Sequence, residues 1–399
     1  MAFFRKTTPV QTDSAKIQEL LTRGVEDTFV KESLEAKLSS GKQLRIKLGI
    51  DPTGTSIHIG RAVPLRKLKA FQELGHQIVL IVGDFTAQIG DASDKLEKRP
   101  MLSAEKVKEN LRNYKKIIGK IIDVDTAEFV FNSSWLSKLG FAEVAELADI
   151  FTLQQMTERR NFRDRIEKGE PISVRELLYP LMQGYDSVAV NADIELGGFD
   201  QLFNLKAGRV IQKHYGQLEQ DVMTFQMLEG TDGRKMSTSW GNVVNITDEP
   251  NDMFGKVMSI RDELIGKYLL LATDVSKDEI ERIEKDIKGG ANPKDAKIRL
   301  AKEIVVLYHG GPAAEKAAQS FENAFVKGKP EEFIQVSGSD VVVNLIAKGV
   351  IGSKSDLRRL VGEGAVTNLD TGQKAGEEFF KTTPRGRYRI GKHRFVEIK

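Results

Sequence analysis

QLRIKLGIDPTGTSIHIGRAVPLRKLKAFQELGHQIVLIVG, Gln43 to Gly83, is the stretch that decides the fold. QLRIKLGI is short and partly alternating, as expected of a strand, and it runs into the turn-rich DPTGTS. From Ile59 to Leu74 the apolar residues Ile59, Val63, Leu65, Leu68, Phe71 and Leu74 form a helical stripe, and Gly75 follows as its stop. Pro64 lacks an N–H, which is harmless only in the first turn, so the helix should start near Gly60 with His58 just ahead of it. QIVLIVG is almost wholly apolar, the mark of a strand covered on both faces. Strand, helix, strand within about 40 residues is a βαβ unit.

Working outward, Glu128–Phe131 and Ile194–Leu196 are further strand candidates. The helix-rich, charged stretch Trp135–Asp186 between them is too long for an ordinary crossover and is expected to form a subdomain or an oligomer contact. Strand signals stop after Asn245, and Asp252–Phe325 reads as a separate helical domain. GKPEEF, Gly328–Phe333, reads as a linker into a tail with strand candidates Arg387–Ile390 and Arg394–Ile398.

Composition sets outer limits. With 399 residues, 40% apolar and 29% charged, the chain should hold two or three folded domains. The absence of cysteine excludes disulfides, thiolate metal sites and a cysteine nucleophile. MAFFRKTTP lacks a secretory apolar core, and no run approaches the ~18 apolar residues of a membrane span, so a cytoplasmic protein is expected. Residues 335–399 carry 12 Lys and Arg against 7 Asp and Glu, a basic module on a nearly neutral body and an electrostatic footprint for a polyanion.

Two loops carry chemistry. GIDPTGTSIHIGR, Gly49–Arg61, can bring backbone N–H groups and a helix N-terminus to a phosphate, with Thr53 and His58 as donors to developing charge. GRKMSTSWGN, Gly233–Asn242, sits between expected strand and helix regions. Its Arg234, Lys235 and small hydroxylated residues suit a triphosphate tail, although alone it is an ordinary basic turn. HIG and KMSTS together, with a Rossmann-like pattern between them, resemble the HIGH and KMSKS signatures of the class I aminoacyl-tRNA synthetases. YPLMQGYD (Tyr179–Asp186) and GGFDQ (Gly197–Gln201) resemble that family's bacterial tyrosine-specific branch, and the resemblance runs over essentially the whole chain.

The resemblance implies an α/β fold: a Rossmann-type parallel-sheet catalytic domain (1–245) with a helical insertion and dimer region at about 100–190. An all-α anticodon-binding domain (246–328) follows, and then a small α+β RNA-binding module similar to that of ribosomal protein S-four (335–399). It implies activation of tyrosine by ATP, entering with Mg2+, and transfer to tRNA(Tyr) by a homodimer without a tightly bound cofactor or protein metal site. Thr53, His58 and Lys235 are then catalytic. Gly49, Asp51, Gly60, Arg61, Gly197, Asp200, Arg234, Lys235 and Ser237 surround ATP, and Lys95 and Arg99 assist from a mobile loop. Asp186 accepts from the tyrosine phenol; Thr86, Asp91, Tyr179 and Gln183 lie about its ammonium, and Gln201 lies near its carboxylate. Lys354, Arg358, Arg359, Arg385 and Arg387 face RNA. Three departures stand out: Arg61 for the second histidine of HIGH, Thr238 for the second lysine of KMSKS, and Lys47 where many tyrosine enzymes place a phenol-binding Tyr. The alternatives are the tryptophan branch, an inactive RNA-binding paralogue, and a small-molecule nucleotidylyltransferase.

Overall fold

The computed structural model describes residues 9–91, 102–325, 333–337, 340–380, 385–391 and 394–399. Lys95, Arg99 and most of the expected linker Gly328–Phe333 lie outside the described residues. Two compact units are present: Met1–Gly230 with Arg234–Thr247 and Leu270–Ala272, and Thr231–Gly233 with Asp248–Leu269 and Thr273–Lys399.

The first unit is built on a six-stranded sheet of β1 (Val25–Phe29), β2 (Arg45–Ile50), β3 (Gln77–Val82), β4 (Glu128–Phe131), β5 (Ile194–Gly198) and β6 (Asp221–Phe225), in the order β1-β6-β5-β2-β3-β4. All neighbours are parallel except β1, which runs antiparallel to β6 on the edge. Val79, Leu80 and Ile81 of β3 are fully buried, as its apolar run requires. β1 and β6 went unread in the sequence. The chain leaves β2 toward β3 and β4, then returns to its other side as β5 and β6, so the strand order reverses between β2 and β5. A crevice at such a reversal, outside the carboxyl ends of the strands, is where open α/β sheets bind ligands.

The helix after β2 spans Ile59–Glu73, and Gly75, at φ 87°, ends it in a conformation that side chains disfavour. Its start matches the expectation from Pro64, but Pro64 falls in the second turn and leaves the Gly60 carbonyl without its helical donor. Helix Val174–Val190 lies close against helix Leu202–His214 through glycines: a Cβ on Gly184 would stand 2.6 Å from Ile211 and 3.2 Å from the backbone nitrogen of Gly208.

In the second unit, helices Pro250–Met258, Pro293–His309 and Gly311–Phe325 pack together, in agreement with the helical reading of Asp252–Phe325. After them β7 (Ile334–Val336), β8 (Val366–Asn368), β9 (Gly386–Ile390) and β10 (Arg394–Ile398) form a sheet in the order β7-β10-β9-β8. Helices Val341–Ala347 and Lys354–Gly362 cover it over a core that includes Leu345, Leu357, Ile390 and Val396.

Candidate active site

His58 is the N-cap of helix Ile59–Glu73, and its Nδ1 accepts the backbone N–H of Arg61 at 3.2 Å. Burial, followed by the charges of Arg61 and Lys235, pushes His58 down to about 3. It is therefore a neutral imidazole at physiological pH, with its proton on Nε2, the nitrogen free to donate. Arg61 donates to the Thr53 hydroxyl at 3.1 Å.

Local folding brings the second loop to this helix. Val243–Ile246 runs beside Ile57–Ile59, with Ile59 N–H donating to the Val244 carbonyl at 2.9 Å and Ile246 N–H to that of Ile57 at 3.0 Å. A Cβ at Gly60 would lie 3.4 Å from the Met236 sulfur. Gly233–Asn242 is turns and one 3₁₀ turn, Thr238–Trp240, rather than a link directly between a strand and a helix. Asn242, which sequence reasoning missed, pins this loop: it accepts the Ser237 N–H at 2.8 Å and donates to the Lys235 carbonyl at 3.1 Å. The Lys235 ammonium pairs with Asp200 at 3.1 Å, just beyond β5, and the Arg234 guanidinium lies 4.7 Å from the Trp240 ring centre. Gly197 and Gly198 leave room there, since a Cβ on either would come within 2.9 Å of Leu205 or 2.5 Å of Asp200. Gly49, at the end of β2, faces open space.

Beside these loops is a buried polar cluster. The Tyr179 hydroxyl donates to Asp51 at 2.9 Å, and the Thr86 hydroxyl donates to the other Asp51 oxygen at 2.7 Å. Asp51, read as a nucleotide-side residue, is thus tied to residues assigned to the amino acid. Burial, then the carboxylate of Asp51, holds the Tyr179 phenol well above its ordinary range, so it stays a donor. Asn132 bridges Thr86 at 2.9 Å and Asp186 at 3.3 Å, and the Trp135 indole N–H donates to Asp186 at 2.8 Å. Asn132 and Trp135 went unnoticed, because NSSW carries no pattern that ties it to a helix far along the chain. Burial pushes Asp186 up to about 7 against the pull of Lys47, Trp135 and Asn132. On the far wall, Asp91 accepts from Gln201 at 3.3 Å, while Asn204 donates to Gln183 at 3.1 Å. Gln183 in turn donates to Glu195 at 3.1 Å.

This arrangement places a neutral histidine donor and a lysine near one helix N-terminus, and a buried carboxylate, Asp186, in the adjoining polar cluster. It can hold a phosphate under electrostatic stabilisation beside a hydroxyl-bearing side chain. Among the described residues no group of three or more His, Asp or Glu could hold a metal ion, and no helix is long and apolar enough to cross a membrane.

The tail residues are exposed: Lys354, Arg358 and Arg359 on helix Lys354–Gly362, and Arg385 and Arg387 at the start of β9. Arg359 is engaged by Asp356 at 2.8 Å and Glu363 at 2.9 Å, and Arg387 by Glu397 at 3.3 Å.

Residues 39–326 match the family model described as tRNA synthetases class I (W and Y). The tyrosine–tRNA ligase of Carboxydothermus hydrogenoformans is 45% identical over 399 residues, covering 95% of this chain and 97% of that protein. That of Thermotoga maritima is also 45% identical, over 95% of this chain and 96% of its own. Among solved structures, the Archaeoglobus fulgidus tyrosyl-tRNA synthetase complexed with L-tyrosine superposes with a TM-score of 0.61 at 23% identity, over 76% of this chain and 99% of that one. A C-terminally truncated Aspergillus nidulans mitochondrial tyrosyl-tRNA synthetase gives 0.64 at 21%, over 78% and 94%. Similarity at that identity speaks to the fold, while the sequence relatives speak to the family. The chain belongs to the class I tRNA synthetases of the W and Y type and, within them, to the tyrosine–tRNA ligases.

Proposed function

We propose that this protein activates tyrosine with ATP and transfers it to the 3′ end of tRNA(Tyr). The observation that carries the reading is the meeting of His58 and Lys235 at the carboxyl ends of β2 and β5, next to the buried polar cluster that includes Asp186. The tyrosine carboxylate attacks the α-phosphate of ATP, the bond to pyrophosphate breaks, and a terminal ribose hydroxyl of tRNA then takes the tyrosyl group from AMP. Thr53 and His58 donate to the transition-state phosphate, and Lys235 with Arg234 receives the departing pyrophosphate. Gly49, Gly60, Arg61, Gly197, Asp200 and Ser237 shape the ATP side, with Mg2+ entering on the phosphates as part of the substrate. Asp186 accepts the phenol hydrogen; Thr86, Asp91, Tyr179 and Gln183 surround the ammonium, and Gln201 lies by the carboxylate.

The tail from residue 335 acts as an RNA-binding module through Lys354, Arg358, Arg359, Arg385 and Arg387, residues 246–328 meet the anticodon, and 1–245 form the catalytic domain. The protein works in the cytoplasm as a homodimer. Supporting the dimer are large apolar side chains left exposed in the helical insertion: Phe141 at 91% and Leu153 at 67%.

Exchange of labelled pyrophosphate into ATP tests the assignment. Exchange should require tyrosine. Exchange driven by tryptophan alone would move the protein to the neighbouring branch, and none with either would leave an RNA-binding paralogue.

A further inference from the structure

Lys47 is fully buried in the middle of β2, directly opposite Glu195 of β5 in the parallel register. Its ammonium pairs with Glu195 Oε1 at 2.8 Å and donates to the Gln183 carbonyl at 2.8 Å and the Ser187 hydroxyl at 2.7 Å. A lysine ammonium has three N–H donors. All three are engaged, so Lys47 has none left for a ligand hydroxyl. Glu195, itself 1% exposed, also accepts from Gln183 at 3.1 Å, from Ser187 at 3.2 Å and from Gln220. Gly208 makes space for this cluster: a Cβ there would lie 2.5 Å from Gln220 and 2.8 Å from Ser187.

Burying two charges is a poor route to stability, because apolar side chains of similar volume often serve a core as well. The location of this pair points to another use. Gln183 and Ser187 flank Asp186 on one stretch of helix Val174–Val190, and both are held by Lys47 and Glu195. We propose that Lys47 and Glu195 are a positioning pair beneath the tyrosine pocket: Lys47 fixes the Gln183–Ser187 stretch and, opposed by Glu195, sets the ionisation of the carboxylate that selects the phenol. The proposal rests on the ligase reading. It gives the departure at Lys47 a role without making it a second phenol donor.

Electrostatics agree with the geometry. Burial drives Asp186 up, Lys47 is the strongest group pulling it back, and Glu195 pushes it up again. Among the described residues, the charged or titratable groups facing Asp186 are Lys47 from β2, Glu195 from β5 and Tyr179 from its own helix, while Asn132 and Trp135 approach as neutral donors. Asp51 lies beyond Thr86 and Tyr179.

The experiment is tyrosine-dependent pyrophosphate exchange by the full chain from roughly pH 5.5 to pH 9, with Lys47→Met and Glu195→Gln. Lys47→Met should move the acidic limb of kcat/KM for tyrosine upward by about one pH unit, a loss of about tenfold below it. Glu195→Gln should move the limb downward. The KM for ATP should stay the same in both. A merely structural role would lower the melting temperature of both variants without displacing the limb, and that result, or displacement of both limbs in the same direction, refutes the proposal. Should Lys47→Met fail to fold, Lys47→Arg retains the charge: a limb at the original pH supports the pair, and a limb displaced by a full unit rejects it. Lack of tyrosine-dependent exchange by the unsubstituted protein would instead remove the ligase reading itself, so the two failures are distinct.

Discussion

In the proposed reading one side chain, Asp186, carries both selectivity and a pH limit. Its carboxylate accepts from Asn132 and Trp135 inside a buried pocket, and burial raises it to about 7. A carboxyl group raised this far is protonated below pH 7 and then no longer offers a full acceptor to the phenol. The expected result is kcat/KM for tyrosine that falls about tenfold per pH unit below 7, while binding of ATP alone stays flat; pyrophosphate exchange across pH checks the first and isothermal titration of ATP the second. Asp186→Asn should flatten the profile and lessen the preference for tyrosine over phenylalanine, since a buried acceptor without its partner hydroxyl is what makes phenylalanine costly. On the other side of the proposed site is Lys235. Lys235→Ala should slow exchange by about 10²-fold or more with little change in tyrosine affinity, the scale of losing one preorganised donor. Equal losses in both would assign Lys235 to folding instead. At Gly83 the constraint is steric: a Cβ would stand 2.0 Å from Asp51 and 2.3 Å from Thr86. Gly83→Ala should therefore raise the tyrosine KM by breaking the Thr86–Asp51–Tyr179 chain, and cost about 1–3 kcal/mol in a urea melt.

At the scale of elements, helix Val174–Val190 carries Tyr179, Gln183 and Asp186 on one face, and its start must be held in register with the sheet. Glu176 in its first turn accepts the Ser173 N–H at 3.1 Å and pairs with Arg165 of helix Arg160–Glu167 at 2.5 Å, both side chains 2% exposed. Removing one member strands the other charge in the interior. Arg165→Met should cost about 3–5 kcal/mol, and Arg165→Met with Glu176→Met should regain most of it. Denaturant melts of the two variants decide the matter: equal destabilisation by both would mean that Arg165 contributes through packing rather than charge. The spacing of Tyr179 and Gln183 made a shared helix face legible in the sequence. The buried ion pair that anchors that helix was not, because Arg165 and Glu176 look like two ordinary surface charges until the turn between the helices brings them together.

Across the whole molecule, charge is unevenly divided: the residues from 335 onward hold 12 Lys and Arg against 7 Asp and Glu. The described residues of the proposed site, from Gly49 to Lys235, belong to the first compact unit, while the basic tail belongs to the second. Ending the chain at Lys329 should leave tyrosine-dependent exchange in place, remove most tRNA charging, and make residual tRNA binding less sensitive to salt, as fewer phosphate contacts remain. Filter binding at several salt concentrations measures the slope. Full charging with an unchanged slope would place tRNA recognition outside the tail.

By itself the sequence determined the βαβ start, the position of His58 ahead of its helix, and the identity of most polar residues about the pocket. These rest on local patterns: an apolar run for β3, a helical stripe with Pro64 and Gly75, and short motifs whose members are near in the chain. Tertiary structure alone decided what those residues touch. β1 is an exposed, charged edge strand whose partner is β6, a pairing that leaves no periodicity to read. Asn132 and Trp135 reach Asp186 across 54 and 51 positions of chain, and Asn242 meets Ser237 and Lys235 only through the turns of its own loop. In the sequence Lys47 stands out only as a departure, a lysine in a partly alternating strand where many tyrosine enzymes place a Tyr. It is a buried ion because β5 inserts beside β2 and sets Glu195 across from it, and the low-dielectric interior so created gives the pair its hold on Asp186.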